Sequence, residues 1–149
     1  MKRSRKTSGF KFVEHTADVK VKCWGPTLEE AFSQAAAGLM ATITPNLALI
    51  DKRVERTIQV ESEDKEALLY DFLSEFLFLF DVEGLVFGEI KVQSIEKRGE
   101  EFSLEASLQG EEFNKDKHEY GTEVKAITYS YMKIEQQEDR TNIEIVFDI

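Results

Sequence analysis

Apolar residues recur along this chain in two distinct rhythms. Between Val19 and Trp24, Val19, Val21 and Cys23 alternate with Lys20 and Lys22, the two-residue period of a strand with one wet face. Phe10 to Glu14 reads as another strand just ahead of it, with His15-Thr16-Ala17-Asp18 at a turn or bulge between the two. After Pro26 the rhythm changes. Leu28, Phe32, Ala35, Ala36, Leu39, Met40 and Ile43 fill one face of a helix. Thr27 stands where its cap belongs, and Glu30 three residues on completes a capping box. Pro45-Asn46 marks the loop that follows.

Val54 to Glu61 predicts a strand with Val54, Ile58 and Val60 on one side. A second helix is expected from about Lys65 to Phe80, its Leu68, Leu69, Phe72, Leu73, Phe76, Leu77 and Phe80 forming a broad core stripe. Strands are expected over Leu85 to Lys97, Glu101 to Leu108, Glu123 to Gln136 and Asn142 to Phe147. Within Glu123 to Gln136, Val124, Ala126 and Thr128 are expected on one face and Glu123, Lys125 and Ile127 on the other. Two helices and about seven strands joined by short turns predict an α+β fold of largely antiparallel sheets with two amphipathic helices packed on them. No βαβ alternation and no glycine-rich phosphate loop supports a Rossmann or P-loop fold.

A chain of 149 residues suits one domain. We assign residues 1–9 to a basic flexible tail and 10–149 to the domain, whose core the eleven Phe residues can fill. No run approaches the roughly 20 consecutive apolar residues that span a bilayer, and the polar start lacks a signal peptide's apolar segment. Neither a membrane nor secretion is expected. Cys23 stands alone, which excludes an internal disulfide and a Cys-cluster zinc site and suits a reducing cytoplasm.

Charge changes the picture most. Lys2, Arg3, Arg5 and Lys6 in the tail lift a domain of about −14 to the whole-chain value of −10. Phosphate neutralisation underlies nucleic-acid affinity, so tight RNA or DNA binding by the domain is not expected. The excess carboxylate suits divalent cations or a basic protein partner; acidity alone fits a solvated surface kept for solubility better still.

The sets that mark common enzymes are missing: there is no activated Cys/His pair, no His-Glu-x-x-His and no Gly-x-Ser-x-Gly. Three segments remain. Taken alone, His15 and Asp18 favour a His hydrogen-bonded near the sheet and an Asp satisfying its own turn backbone. Phe147-Asp148-Ile149 ends a strand, so the Asp148 side chain and the Ile149 carboxylate lie close together, a repulsion that a divalent cation would offset. If Asp18 projects from a neighbouring turn, the three carboxylates would make an all-oxygen site for Ca²⁺, Mg²⁺ or Mn²⁺. Lys125 lies between hydrophobic neighbours, where it would snorkel from an edge, brace an acidic pocket or meet a phosphate. His118, in a loop dense with Lys and Glu, reads as exposed.

Glu14-His15-Thr16-Ala17-Asp18-Val19, Trp24-Gly25 before Thr27-Leu28-Glu29-Glu30-Ala31-Phe32, the run from Gly121 to Ser130, and the ending Asp148-Ile149 together resemble the archease family. The likeness covers nearly the whole chain after residue 9. It implies a protein that is not an enzyme but a cofactor of the GTP-dependent, RtcB-type ligase that joins tRNA halves in splicing. Such a protein promotes ligase guanylylation and repeated turnover. The resemblance also implies a divalent metal, with calcium foremost, on Asp18, Asp148 and Ile149. It places a functional lysine at Lys125, and His15 falls beside these ligands. The rival expectations are a chaperone-like modulator of nucleic-acid-processing enzymes and a metal-dependent hydrolase.

Overall fold

The computed structural model describes residues 7–13 and 18–149. The elements run β1 (Gly9–Val13), β2 (Asp18–Gly25), α1 (Leu28–Ile43), a 3-10 turn (Leu47–Leu49), β3 (Val54–Ser62), α2 (Lys65–Glu83), β4 (Leu85–Arg98), β5 (Glu101–Glu112), β6 (Ala126–Gln136) and β7 (Thr141–Asp148). Among the described residues this is two helices and seven strands, an α+β fold. One sheet has the order β1-β2-β7-β6 and the other β3-β5-β4. Every pairing in both is antiparallel.

The helix ends follow from local chemistry. Thr27 accepts the Glu30 N–H on its Oγ1 at 3.1 Å, and Asp64 accepts the Ala67 N–H on its Oδ1 at 2.7 Å. Each supplies an acceptor for an amide that the helix cannot pair. The second helix runs three residues past the predicted Phe80, to Glu83. It stops at Gly84, whose φ of 69° is left-handed and whose N–H returns to Leu79 and Phe80 carbonyls.

Each helix touches both sheets: α1 packs on β2, β1 and β7 and also on β4, while α2 packs on β6 and on β3 and β4. The core therefore lies where the helices join the sheets. Phe32 of α1 stacks on Phe72 of α2, which meets Phe76, which meets Phe87 of β4. All four are fully buried. Burying a side chain of this size stabilises by about 1.5–3 kcal/mol relative to exposure.

The segment from Gly121 to Lys125 is not strand; β6 begins at Ala126. The predicted alternation fails there, because Val124 and Ile127 are both buried while Lys125 is exposed. A second departure lies further along. β6 pairs with β7 through Thr128↔Val146, then resumes at Lys133↔Glu144, so Tyr129 to Met132 stand against Ile145 alone. Tyr131 in this bulge has φ 62°.

Candidate functional site

β7 is flanked by β2 on one side and β6 on the other, and its last paired residue is Asp148. Asp18 stands directly opposite Asp148 on β2, and Ala126 directly opposite on β6. Directly opposed antiparallel residues share a face, with Cβ atoms about 4.5–5.5 Å apart, and like charges so placed repel. The register therefore sets two carboxylates side by side, with Ile149 next along the chain. Asp18 belongs to the first position of a strand rather than to the expected turn.

This donor set is all oxygen, which suits a hard divalent cation. It is also incomplete. No group of three or more His, Cys, Asp or Glu side chains is placed to hold a metal among the described residues. Two carboxylate side chains supply a half-built shell, and Ile149 is the residue next to them in sequence. His15, expected beside the ligands, lies outside the described residues.

The third segment reaches the same place by way of α1. The Gly121 N–H donates to the Ile43 carbonyl at 2.7 Å, and the Thr122 N–H to the Thr42 carbonyl at 2.9 Å. These bonds satisfy carbonyls that the helix end leaves open. The approach is so close that a Cβ on residue 121 would lie 2.4 Å from the Thr42 oxygen, so glycine is required there. Asp18, Thr42, Pro45, Gly121, Thr122 and Phe12 line a cleft of about 450 Å³. Lys125 then hydrogen-bonds through its own N–H to the Asp148 carbonyl at 2.7 Å. Its side chain is exposed beside the acid pair's row. Asp18, Asp148 and Lys125 are thus brought to one end of one sheet.

His118 departs from its expected exposure. It is buried, its Nδ1 accepts the Asn114 N–H at 2.9 Å, and its Nε2 lies 2.9 Å from Glu111 Oε2. With Nδ1 accepting, the proton sits on Nε2 and is donated to the carboxylate. Glu111 also accepts the Asp51 N–H at 2.8 Å and the Lys117 ammonium at 2.7 Å. Burial by itself raises the Glu111 pKa. The hydrogen bonds from Asp51, Lys117 and His118, with the Lys117 charge, more than reverse this and bring it to about 2. The cluster latches the loop that leads to Gly121. Only a fold that buries residue 118 makes it visible; a loop of mixed charge carries no such signal.

Residues 10–149 match the model of the Archease protein family (MTH1598/TM1083). The chain belongs to the archease family. Protein archease of Pyrococcus furiosus is 50% identical over 137 residues, which is 91% of this chain and 95% of that protein. An archease-like protein of Dictyostelium discoideum is 39% identical over 142 residues, 94% and 93% of the two chains. The solution structure of Methanobacterium thermoautotrophicum protein 1598 superposes with a TM-score of 0.80 at 32% identity, covering 95% of this chain and 99% of that one. The crystal structure of a Thermotoga maritima archease, described as a possible chaperone, shares the fold at a TM-score of 0.58 and 23% identity over the whole of both chains. In this chain the carboxylate pair stands at the end of the four-stranded sheet of that fold.

Proposed function

We propose that this archease-family protein is an accessory factor, not itself an enzyme, that activates a GTP-dependent, RtcB-type RNA-splicing ligase in tRNA splicing. One observation carries the reading: Asp18 and Asp148 are held directly opposite each other on adjacent strands. Two like charges fixed in register are a cost that a divalent cation, calcium foremost, offsets. Asp18 and Asp148, with Ile149 beside them, would hold that cation. When bound, it supplies positive charge for nucleotide phosphates during guanylyl transfer. Lys125 adds a mobile ammonium beside it, suited to a phosphate oxygen, and the acid row keeps nucleic acid from binding here without the ligase. A cytoplasmic location fits Cys23, a buried free thiol whose pKa burial pushes up to about 12. No helix among the described residues is long and apolar enough to cross a membrane.

Single-turnover guanylylation of an RtcB-type ligase with GTP and divalent metal tests this reading, followed by multiple-turnover joining of RNA ends. The wild-type protein speeds the first and sustains the second, and alone neither joins RNA nor hydrolyses GTP. Asp18→Ala and Asp148→Ala abolish the stimulation while folding normally. Folded variants that stimulate as well as wild type would leave a chaperone-like role as the better account.

A further inference from the structure

The Tyr129 to Met132 bulge does something a regular strand would not. Four residues against one release Tyr129 from the β7 ladder, and its ring stacks on Tyr70 of α2 at 4.4 Å with a tilt of only 6°. Thr128 Oγ1 takes up the Ser130 N–H at 2.7 Å, and Tyr131 accepts a left-handed φ to keep the loop's shape. Tyr129 is nonetheless 53% exposed, so with one ring face on Tyr70 the other faces water.

Beside the stack the surface is acidic: Asp71 follows Tyr70 on α2 and accepts the Ser62 hydroxyl at 2.7 Å, and Glu63 and the helix cap Asp64 follow Ser62. Burial first, then Asp71, Tyr70, Asp64 and Glu63, push the Tyr129 hydroxyl above its usual range, which keeps it a neutral donor. The one Lys or Arg of α2, Lys65, is hydrogen-bonded to Gln136 and lies over Phe102. Elsewhere in the bulge the ring of Tyr131 has the Lys20 ammonium 5.9 Å from its centre; no cation lies over Tyr129 among the described residues.

The geometry points to an arginine-binding surface: the Tyr70–Tyr129 stack, rimmed by Glu63, Asp64 and Asp71, takes an arginine from a basic segment of the protein partner. A guanidinium is flat enough to extend the stack, is attracted to a ring face, and offers hydrogen bonds to carboxylates in the same plane. A nucleobase would stack equally well. It brings phosphate with it, however, and three carboxylates at the rim repel phosphate. A lysine matches the charge but not the plane. The site rests on the reading that this chain acts on a protein partner. It gives that partner a docking contact separate from the Asp18–Asp148 pair.

The full chain is titrated with acetyl-Gly-Arg-Gly-amide, its Lys counterpart and uridine 5′-monophosphate, with the Tyr70 and Tyr129 ring signals followed by NMR. The arginine peptide shifts both signals saturably and the lysine peptide binds at least threefold more weakly. The nucleotide moves neither. Tyr129→Ala and the charge reversal Glu63→Lys, at an exposed position, each weaken the arginine peptide about three- to tenfold, while Tyr129→Phe keeps it. Nucleotide shifts as large as those of arginine, or arginine binding unchanged in Glu63→Lys, overturn the proposal. In the ligase assay Glu63→Lys raises the concentration for half-maximal stimulation about tenfold at an unchanged saturating rate, whereas Asp18→Ala lowers the saturating rate. An unchanged half-maximal concentration also overturns it. If wild type stimulates no ligase, the accessory reading fails and the peptide titration alone decides the arginine site.

Discussion

Asp18 and Asp148, near opposite ends of the chain, stand directly opposite each other across the β2–β7 pair. Their proximity is a product of strand register and places a repulsive pair where the sheet ends.

That pair gives the protein opposite responses with and without metal. In chelator, Asp148→Asn should raise stability by about 0.2–1 kcal/mol, because it removes one of two opposed charges. In millimolar Ca²⁺ or Mn²⁺ the wild type should overtake it, since a ligand at a hundred times its Kd stabilises by about 2.7 kcal/mol. Thermal unfolding of both proteins in both buffers checks this. Equal shifts with metal would remove Asp148 from the site.

Gly121→Ala should lower stability by about 1–3 kcal/mol, the ordinary cost of overpacking. The added methyl meets the Thr42 carbonyl, so either the Gly121 and Thr122 hydrogen bonds to the end of α1 lengthen or the helix end shifts. Urea denaturation reads the loss. An unchanged midpoint would show that the loop is not docked on the helix.

Acid should loosen the loop latch by protonating Glu111. Glu111 has its carboxyl held at about 2 rather than the ordinary 4.5. A depressed folded-state pKa contributes stability that is present above the unfolded value and lost as pH falls through the folded one. The contribution is therefore full above about pH 5 and fades between 4.5 and 2. Glu111→Gln should cost about 1–3 kcal/mol at pH 7, since three donors lose a charged acceptor, and much less near pH 2. A pH-independent difference between the two proteins would refute the latch.

Tyr131 carries backbone strain that glycine would relieve. A left-handed non-glycine residue costs about 1–2 kcal/mol, and glycine's extra chain entropy returns about 0.5–1 kcal/mol of that. Tyr131→Gly should thus leave stability unchanged or raise it by up to about 1.5 kcal/mol, whereas the β-branched Tyr131→Val should lower it. Chemical denaturation of both variants decides. A clear loss in Tyr131→Gly would mean that the exposed ring and its contact with Lys20 matter more than the strain.

Much of this protein was legible without coordinates. Val19, Val21 and Cys23 alternate, Leu28 to Ile43 stripes a helix, and Thr27 caps that helix as expected. Such patterns are local, because pleat and helical pitch are properties of a few consecutive residues. The run from Gly121 to Ser130 and the ending Asp148-Ile149 likewise marked the family by residue order alone. What the sequence could not determine depends on contacts between distant segments. Which residue faces Asp148 is set by how β2 and β7 slide into register as both bury one face on α1. Lys125 left the predicted strand because Gly121 and Thr122 dock on a helix end. His118 sank from view because Glu111 and Asn114 satisfy ring nitrogens that would otherwise stay in water. Tyr129 left the ladder because three extra residues let its ring reach Tyr70 on α2. Pattern decides which elements form; only the packed core decides which of their side chains meet.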